Sequence, residues 1–258
     1  MQIHEPAPIA DPPRPIRRLV AYAGANRALM TIGAVGALIF LLMLTGSASV
    51  YDAVDEGDGI SGLDQPALDY ALGLRSPSAA RWVTGFTDLG GTVPMVVMGV
   101  VLTVGMYLHW RRRPILTLML VAAAGSVTFT VVGKALVGRN RPPLADAVPP
   151  YEYAPSFPSG HTLNSTVLAL MLAYLVVWLA RRTWVKLVAV AAALTWAAAM
   201  GLSRVYLAHH WLTDVIFGWV FGVAWLALLI TVHRMILTIQ SRRPELVEDV
   251  SSAPAGPV

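Results

Sequence analysis

Cysteine is absent from all 258 residues. This excludes a disulfide framework, a thiolate metal site and a cysteine nucleophile. Charge is also scarce, at 13% of residues, where soluble domains carry about a quarter. That deficit excludes an ordinary soluble enzyme, a disordered chain and a coiled coil. Lysine is nearly missing, with Lys134 and Lys186 standing beside 17 arginines. No internal repeat is visible. The net charge of +4 does not make a nucleic-acid partner, because the cations are not gathered in one basic run. What the chain has in excess is apolar residues, 56% of the total, with a mean hydropathy of +0.61.

Six uncharged stretches hold most of this apolar content: 28–50, 90–108, 115–133, 162–180, 187–203 and 215–232. They run 17 to 23 residues, near the roughly 20 that cross a bilayer as a helix. The fifth is the shortest and lengthens through Trp184 if Lys186 snorkels. The first begins after a Pro- and Arg-bearing tail and is too long for a signal-peptide core. The expected fold is all-α: a polytopic membrane protein, a six-transmembrane-helix bundle. Residues 1–27 read as a disordered cytoplasmic tail, 28–234 as the six-span domain and 235–258 as a largely disordered cytoplasmic tail.

The positive-inside rule orients the bundle. Thirteen of the 19 cations lie in the two tails and in the second-to-third and fourth-to-fifth connections. Both termini are therefore expected inside. The first outer loop, 51–89, carries seven acids, Asp64 among them. Leu63, Ala67, Leu68, Ala71 and Leu72 are spaced as on a helix, and so are Trp82, Val83 and Phe86. Ser76 and Pro77 form a start signal for the second segment. One or two short surface helices are expected there, acting as a lid, a lipid guide or a structural plug.

Four of the six outward cations flank the spans: Lys134, Arg139, Arg141 and Arg204. They fall in three clusters that the topology delivers to one membrane face. The clusters are Lys134 to Pro142, Ser156 to His161 and Ser203 to Asp214. Lys134, Arg141 and Arg204 concentrate positive charge whose natural counter-ion is a phosphate. Ser159 and Gly160 precede the fourth span, where a helix N-terminus offers free N–H groups, and Gly160 lets backbone approach an anion. His210 and Asp214 are four apart, one turn on a helical face. A carboxylate on one imidazole nitrogen leaves the other free as a nucleophile. His209 would point some 100° away. His161 supplies a second imidazole to protonate a leaving oxygen. Together these residues describe phosphoryl transfer with no required metal.

The three clusters resemble the type 2 phosphatidic acid phosphatase superfamily. Its pattern is Lys-x6-Arg-Pro, Pro-Ser-Gly-His and Ser-Arg-x5-His-x3-Asp. Lys134 to Arg141-Pro142, Pro158 to His161, and Ser203-Arg204 to His210 and Asp214 match every position. The resemblance implies phosphate binding by Lys134, Arg141, Ser159, Gly160 and Arg204. It implies attack by His210 to give a phosphohistidine, with Asp214 orienting it and His161 as acid and then base. No cofactor or metal is implied. The partner would be a membrane lipid substrate: polyprenyl diphosphate first, or phosphatidic acid or phosphatidylglycerophosphate. A homo-oligomer is left open. The localisation implied is a bacterial plasma membrane with an outward active site. The alternative of another class is a non-enzymatic lipid-anion transporter. Transporters place sites near the midplane and show repeats, whereas these groups lie at span ends.

Overall fold

A computed structural model of the protein describes residues 14–241, with side chains from residue 27. The described residues hold eight α-helices and no strand. Six are long and apolar enough to span a membrane: α1 (Arg14–Glu56), α4 (Thr92–Trp110), α5 (Pro114–Val137), α6 (Gly160–Leu179), α7 (Thr183–Tyr206) and α8 (Leu212–Gln240). Two shorter ones, α2 (Asp64–Gly73) and α3 (Pro77–Asp88), follow α1 after a 3-10 turn at Gly59–Leu63. The protein is thus a multi-pass helical membrane protein.

Helix ends follow local chemistry. α3 starts where Ser76 accepts from Ala79 N at 3.2 Å with Pro77 in the first turn, a capped start. α5 stops at Gly138, whose φ of 62° closes a left-handed C-cap. α1 is longer than the apolar stretch that announced it. It begins at Arg14, with Pro15 tolerated in its first turn, and runs to Glu56. Residues 14–27, expected as part of a disordered tail, are therefore helical, because nothing between Pro15 and Ala28 breaks the helix. Likewise Asp52, Asp55 and Glu56 close α1 and do not open the loop. α8 continues to Gln240, past the expected boundary at 234. Residues 1–13 and 242–258, the remainder of the two expected tails, lie outside the described residues.

The chain divides into two compact units: residues 38–229, and the start of α1 with the end of α8 (through 37 and from 230). Within 38–229, α6 is the hub. It packs on α4, α5 and α7, and it is the most buried span. Thr162 and Thr166 of α6 meet Gly218 and Gly222 of α8, where an added Cβ would come within 3.2 Å. Small residues of this kind let membrane helices approach closely. α2 and α3 pack on α7. Every candidate site residue belongs to 38–229.

Candidate active site

Three connections meet at one end of this unit: the α1–α4 segment with α2 and α3, the α5–α6 segment and the α7–α8 turn. Hydrogen bonds hold them together: Val148 N donates to Leu207 O (3.0 Å) and Ser159 N to Asp214 O (3.3 Å), Thr213 N donates to Asp64 Oδ1 at 2.8 Å, and within the α5–α6 segment Ser156 N donates to Arg139 O (2.8 Å). Each of the three sequence clusters is therefore at this end.

His210 and Asp214 are fully buried. His210 does not ride on a helix, as its spacing from Asp214 suggested. The turn 207–211 precedes α8, with Ala208 left-handed at φ 56°, and both His209 N and His210 N donate to Arg204 O. The pair meets all the same, Nδ1 to Oδ2, at 3.3 Å. The reason is a capping arrangement: Asp214, three residues after Trp211, accepts from Trp211 N at 3.0 Å. An acid at the third helical position reaching back to the cap residue is half of a capping box. Ser156, which opens the second sequence cluster but carries no role of its own there, donates to Asp214 Oδ2 and lies 3.3 Å from His210 Nδ1.

The other ring nitrogen of His210, Nε2, is hydrogen-bonded to Arg141 Nη1 at 3.2 Å. Burial first, then Arg141, Arg204 and Lys134, holds the His210 imidazole well below its ordinary pKa, so it is neutral at pH 7. His209 has its Nε2 2.6 Å from Val148 O and its Nδ1 4.0 Å from Glu152 Oε1.

The cations converge on a carboxylate that sequence reasoning missed. Glu152 pairs with Arg141 Nη2 at 2.8 Å and with Arg204 Nη2. Burial alone would raise its pKa, but Arg204 and Arg141 outweigh burial and hold it at about 2. Glu152 is thus an anion gripped by two of the three cations expected to grip phosphate. Arg204, almost fully buried, also bonds Thr87 Oγ1 at 3.2 Å. Lys134 donates to Pro155 O, and Arg141 Nε donates to Ala154 O at 2.7 Å, so both also brace the loop that carries Glu152.

Ser159 and Gly160 serve the fold as well as any ligand. Ser159 Oγ caps α6 by accepting from Thr162 N and Oγ1, at 3.4 and 2.9 Å, and its own N–H is committed to Asp214 O. A Cβ at Gly160 would come within 2.9 Å of Thr130 Cγ2, so the close approach there is of α6 to α5.

Lys134, Arg141, Glu152, Gly160, His161 and His210 line one end of a cavity of about 760 Å³. Its walls come from α4, α5 and α6 and are mostly apolar, with Met95, Val100, Met119, Leu120 and Leu168 among them. On α5 the lining runs from Lys134 to Leu116, a rise of about 27 Å. A charged head with a long apolar wall is the complement of an anionic lipid. Among the described residues no three His, Asp or Glu side chains converge as metal ligands.

Fold and site together define a polytopic membrane protein with a histidine–carboxylate pair in a cationic pocket. Residues 114–237 match the model of the PAP2 superfamily. It is 29% identical over 189 residues to a phosphatidylglycerophosphatase B of Bacillus subtilis, covering 72% of this chain and 88% of that one. It is 28% identical over 205 residues to a lipid A 4'-phosphatase of Bacteroides thetaiotaomicron, covering 72% and 84%. The crystal structure of a transmembrane PAP2-type phosphatidylglycerolphosphate phosphatase from Bacillus subtilis superposes with a TM-score of 0.66 at 27% identity, over 78% of this chain and 96% of that one. The chain is accordingly a multi-pass helical membrane protein similar to PAP2-type membrane phosphatases.

Proposed function

We propose that the protein hydrolyses a lipid phosphomonoester or diphosphate through a phosphohistidine at His210. The observation that carries this is the buried His210–Asp214 pair, whose Nε2 meets Arg141 at the charged end of a long, mostly apolar cavity. In this reading Lys134, Arg141 and Arg204 bind the phosphoryl oxygens after Glu152 yields them. The Gly160 backbone and the Ser159 hydroxyl add donors at the start of α6. His210 Nε2 attacks phosphorus in line. As the P–N bond forms, the bond from that phosphorus to the leaving oxygen breaks (the lipid alcohol oxygen of a monoester, the bridging oxygen of a diphosphate), and that oxygen takes a proton from His161. Asp214 holds Nδ1–H and stabilises the imidazolium. Water, deprotonated by His161, then attacks phosphorus and releases inorganic phosphate and free His210. No metal is assigned a role.

The two substrate classes have different support. Similarity to phosphatidylglycerophosphatase B favours a glycerophospholipid phosphate. An outward-facing site favours a polyprenyl diphosphate, which presents its phosphates on that side. The orientation itself, with termini cytoplasmic and the site outside in a bacterial plasma membrane, rests on the arginine distribution.

The deciding experiment is phosphate release by purified protein in detergent with EDTA present. Phosphatidylglycerophosphate, phosphatidic acid and polyprenyl diphosphate are compared. His210→Ala is expected to abolish release, and release at the wild-type rate would overturn the mechanism. Transport of a lipid anion that survives loss of both His161 and His210 would favour the transporter reading.

A further inference from the structure

Asp64 stands at the start of α2, in the first outer loop, yet it is only 5% exposed. Its carboxylate is fully used. Oδ1 accepts from Thr213 N at 2.8 Å, and Oδ2 accepts from Thr213 Oγ1 at 2.7 Å and Arg139 Nη2 at 2.6 Å. The other arm of Arg139, Nη1, donates to Asp214 Oδ1 at 2.7 Å and to Thr213 Oγ1 at 2.8 Å. The guanidinium also lies 5.6 Å from the Trp211 ring.

The two oxygens of Asp214 therefore have separate tasks. Oδ2 faces His210 and Ser156, and Oδ1 belongs to Arg139. A carboxylate with one oxygen tied cannot rotate away from the imidazole that the other serves. Arg139 in turn is held from behind by Asp64, and its planar fork suits two carboxylates at once. Arg139 pairs with no group at the phosphate end of the cavity and, unlike Arg141, does not line it. We propose that Arg139 and Asp64 are positioning residues for the reaction: Arg139 locks the Asp214 carboxylate on His210, and Asp64 locks Arg139. This gives the first outer loop a task, since α2 reaches the nucleophile through this chain. The proposal rests on the phosphohistidine reading.

A double-mutant cycle tests it. Arg139→Gln removes a charge-assisted bond and is expected to lower kcat about 10–100-fold, with KM within about twofold of wild type. In the Asp214→Asn background the same substitution should change kcat by no more than about twofold, because the group it acts through is gone. Asp64→Asn, nearly isosteric, should lower kcat less, and should add nothing to Arg139→Gln. A merely structural arginine would cost the same factor in both backgrounds, and that result overturns the proposal. So does a wild-type kcat in Arg139→Gln. Should Arg139→Gln fail to fold, Asp64→Asn with and without Asp214→Asn carries the cycle. The cycle is repeated on orthovanadate affinity, which needs no lipid turnover. If the wild type hydrolyses no lipid phosphate, the phosphatase reading falls, and the vanadate cycle still decides whether Arg139 acts through Asp214.

Discussion

Glu152 already neutralises Arg141 and Arg204, the two arginines that the proposed reaction assigns to an incoming phosphate. A phosphate must compete with a carboxylate delivered by the protein's own loop. Gln keeps the shape of Glu152 but loses the negative charge that attracts both guanidiniums, so Glu152→Gln leaves a weaker competitor. KM and the inhibition constant for inorganic phosphate are both expected to fall about tenfold, corresponding to about 1.4 kcal/mol. Steady-state kinetics with added phosphate checks this, and unchanged constants would sink it. The same cations set the pH response. His210 must be unprotonated to attack. Its pKa lies well below the usual value because of burial and then Arg141, Arg204 and Lys134, with Glu152 opposing. A lowered pKa moves the acid limb down, so kcat/KM, corrected for substrate ionisation, should hold as pH falls through about 6.5. Since Glu152 raises the His210 pKa, Glu152→Gln should move the limb lower still. An acid limb centred near 6.5 would contradict a buried, neutral nucleophile.

At the scale of elements, the site depends on how closely α5 approaches the segment leading into α6. A Cβ added to Gly133 would come within 2.7 Å of Pro158 Cδ, and the proline ring cannot move without the Ser156–His161 backbone. Gly133→Ala is therefore expected to cost about tenfold or more in kcat/KM, in line with small displacements of catalytic groups. Gly105 on α4 meets nothing within 4 Å, so Gly105→Ala should leave kcat/KM unchanged. Equal effects at the two glycines would mean that the α5 contact is not what positions the site. Element by element, the legible parts were those with fixed local spacing. The six apolar runs appeared as spans, Ser76-Pro77 as a helix start, and His210 with Asp214 as a contacting pair, though through a cap and not along a helix. Asp64, Glu152 and Ser156 were not legible as site residues, because partner choice across long separations depends on how loops return. Arg139 bonds Asp64 across 75 residues. One local trace of Asp64 existed: it precedes Leu68 and Ala71 by four and seven residues, and all three are buried on one face of α2. An acid in phase with an apolar stripe marks a buried carboxylate that needs a partner. Arg139 was visible only as one of four outward cations near the spans, with nothing to separate its task from that of Arg141.

For the whole molecule, the open quantity is which face of the membrane receives the site. The arginines at the α4–α5 turn, Arg111, Arg112 and Arg113, predict a cytoplasmic position there. The odd-numbered connections, including the loop with α2 and α3, then fall outside. The absence of cysteine, which excluded so much at the start, makes this simple to measure. Any introduced thiol is the only one in the chain. Asp58 and Arg112 are both exposed and lie in connections at opposite ends of the spans. Neither contributes to the pocket, so Asp58→Cys and Arg112→Cys should retain activity. In intact cells a membrane-impermeant maleimide is expected to label Asp58→Cys and to leave Arg112→Cys unlabelled until the membrane is permeabilised. The reverse pattern would turn the site toward the cytoplasm. It would remove the support that orientation lends to a polyprenyl diphosphate and leave the glycerophospholipid phosphate as the favoured substrate, without touching the chemistry at His210.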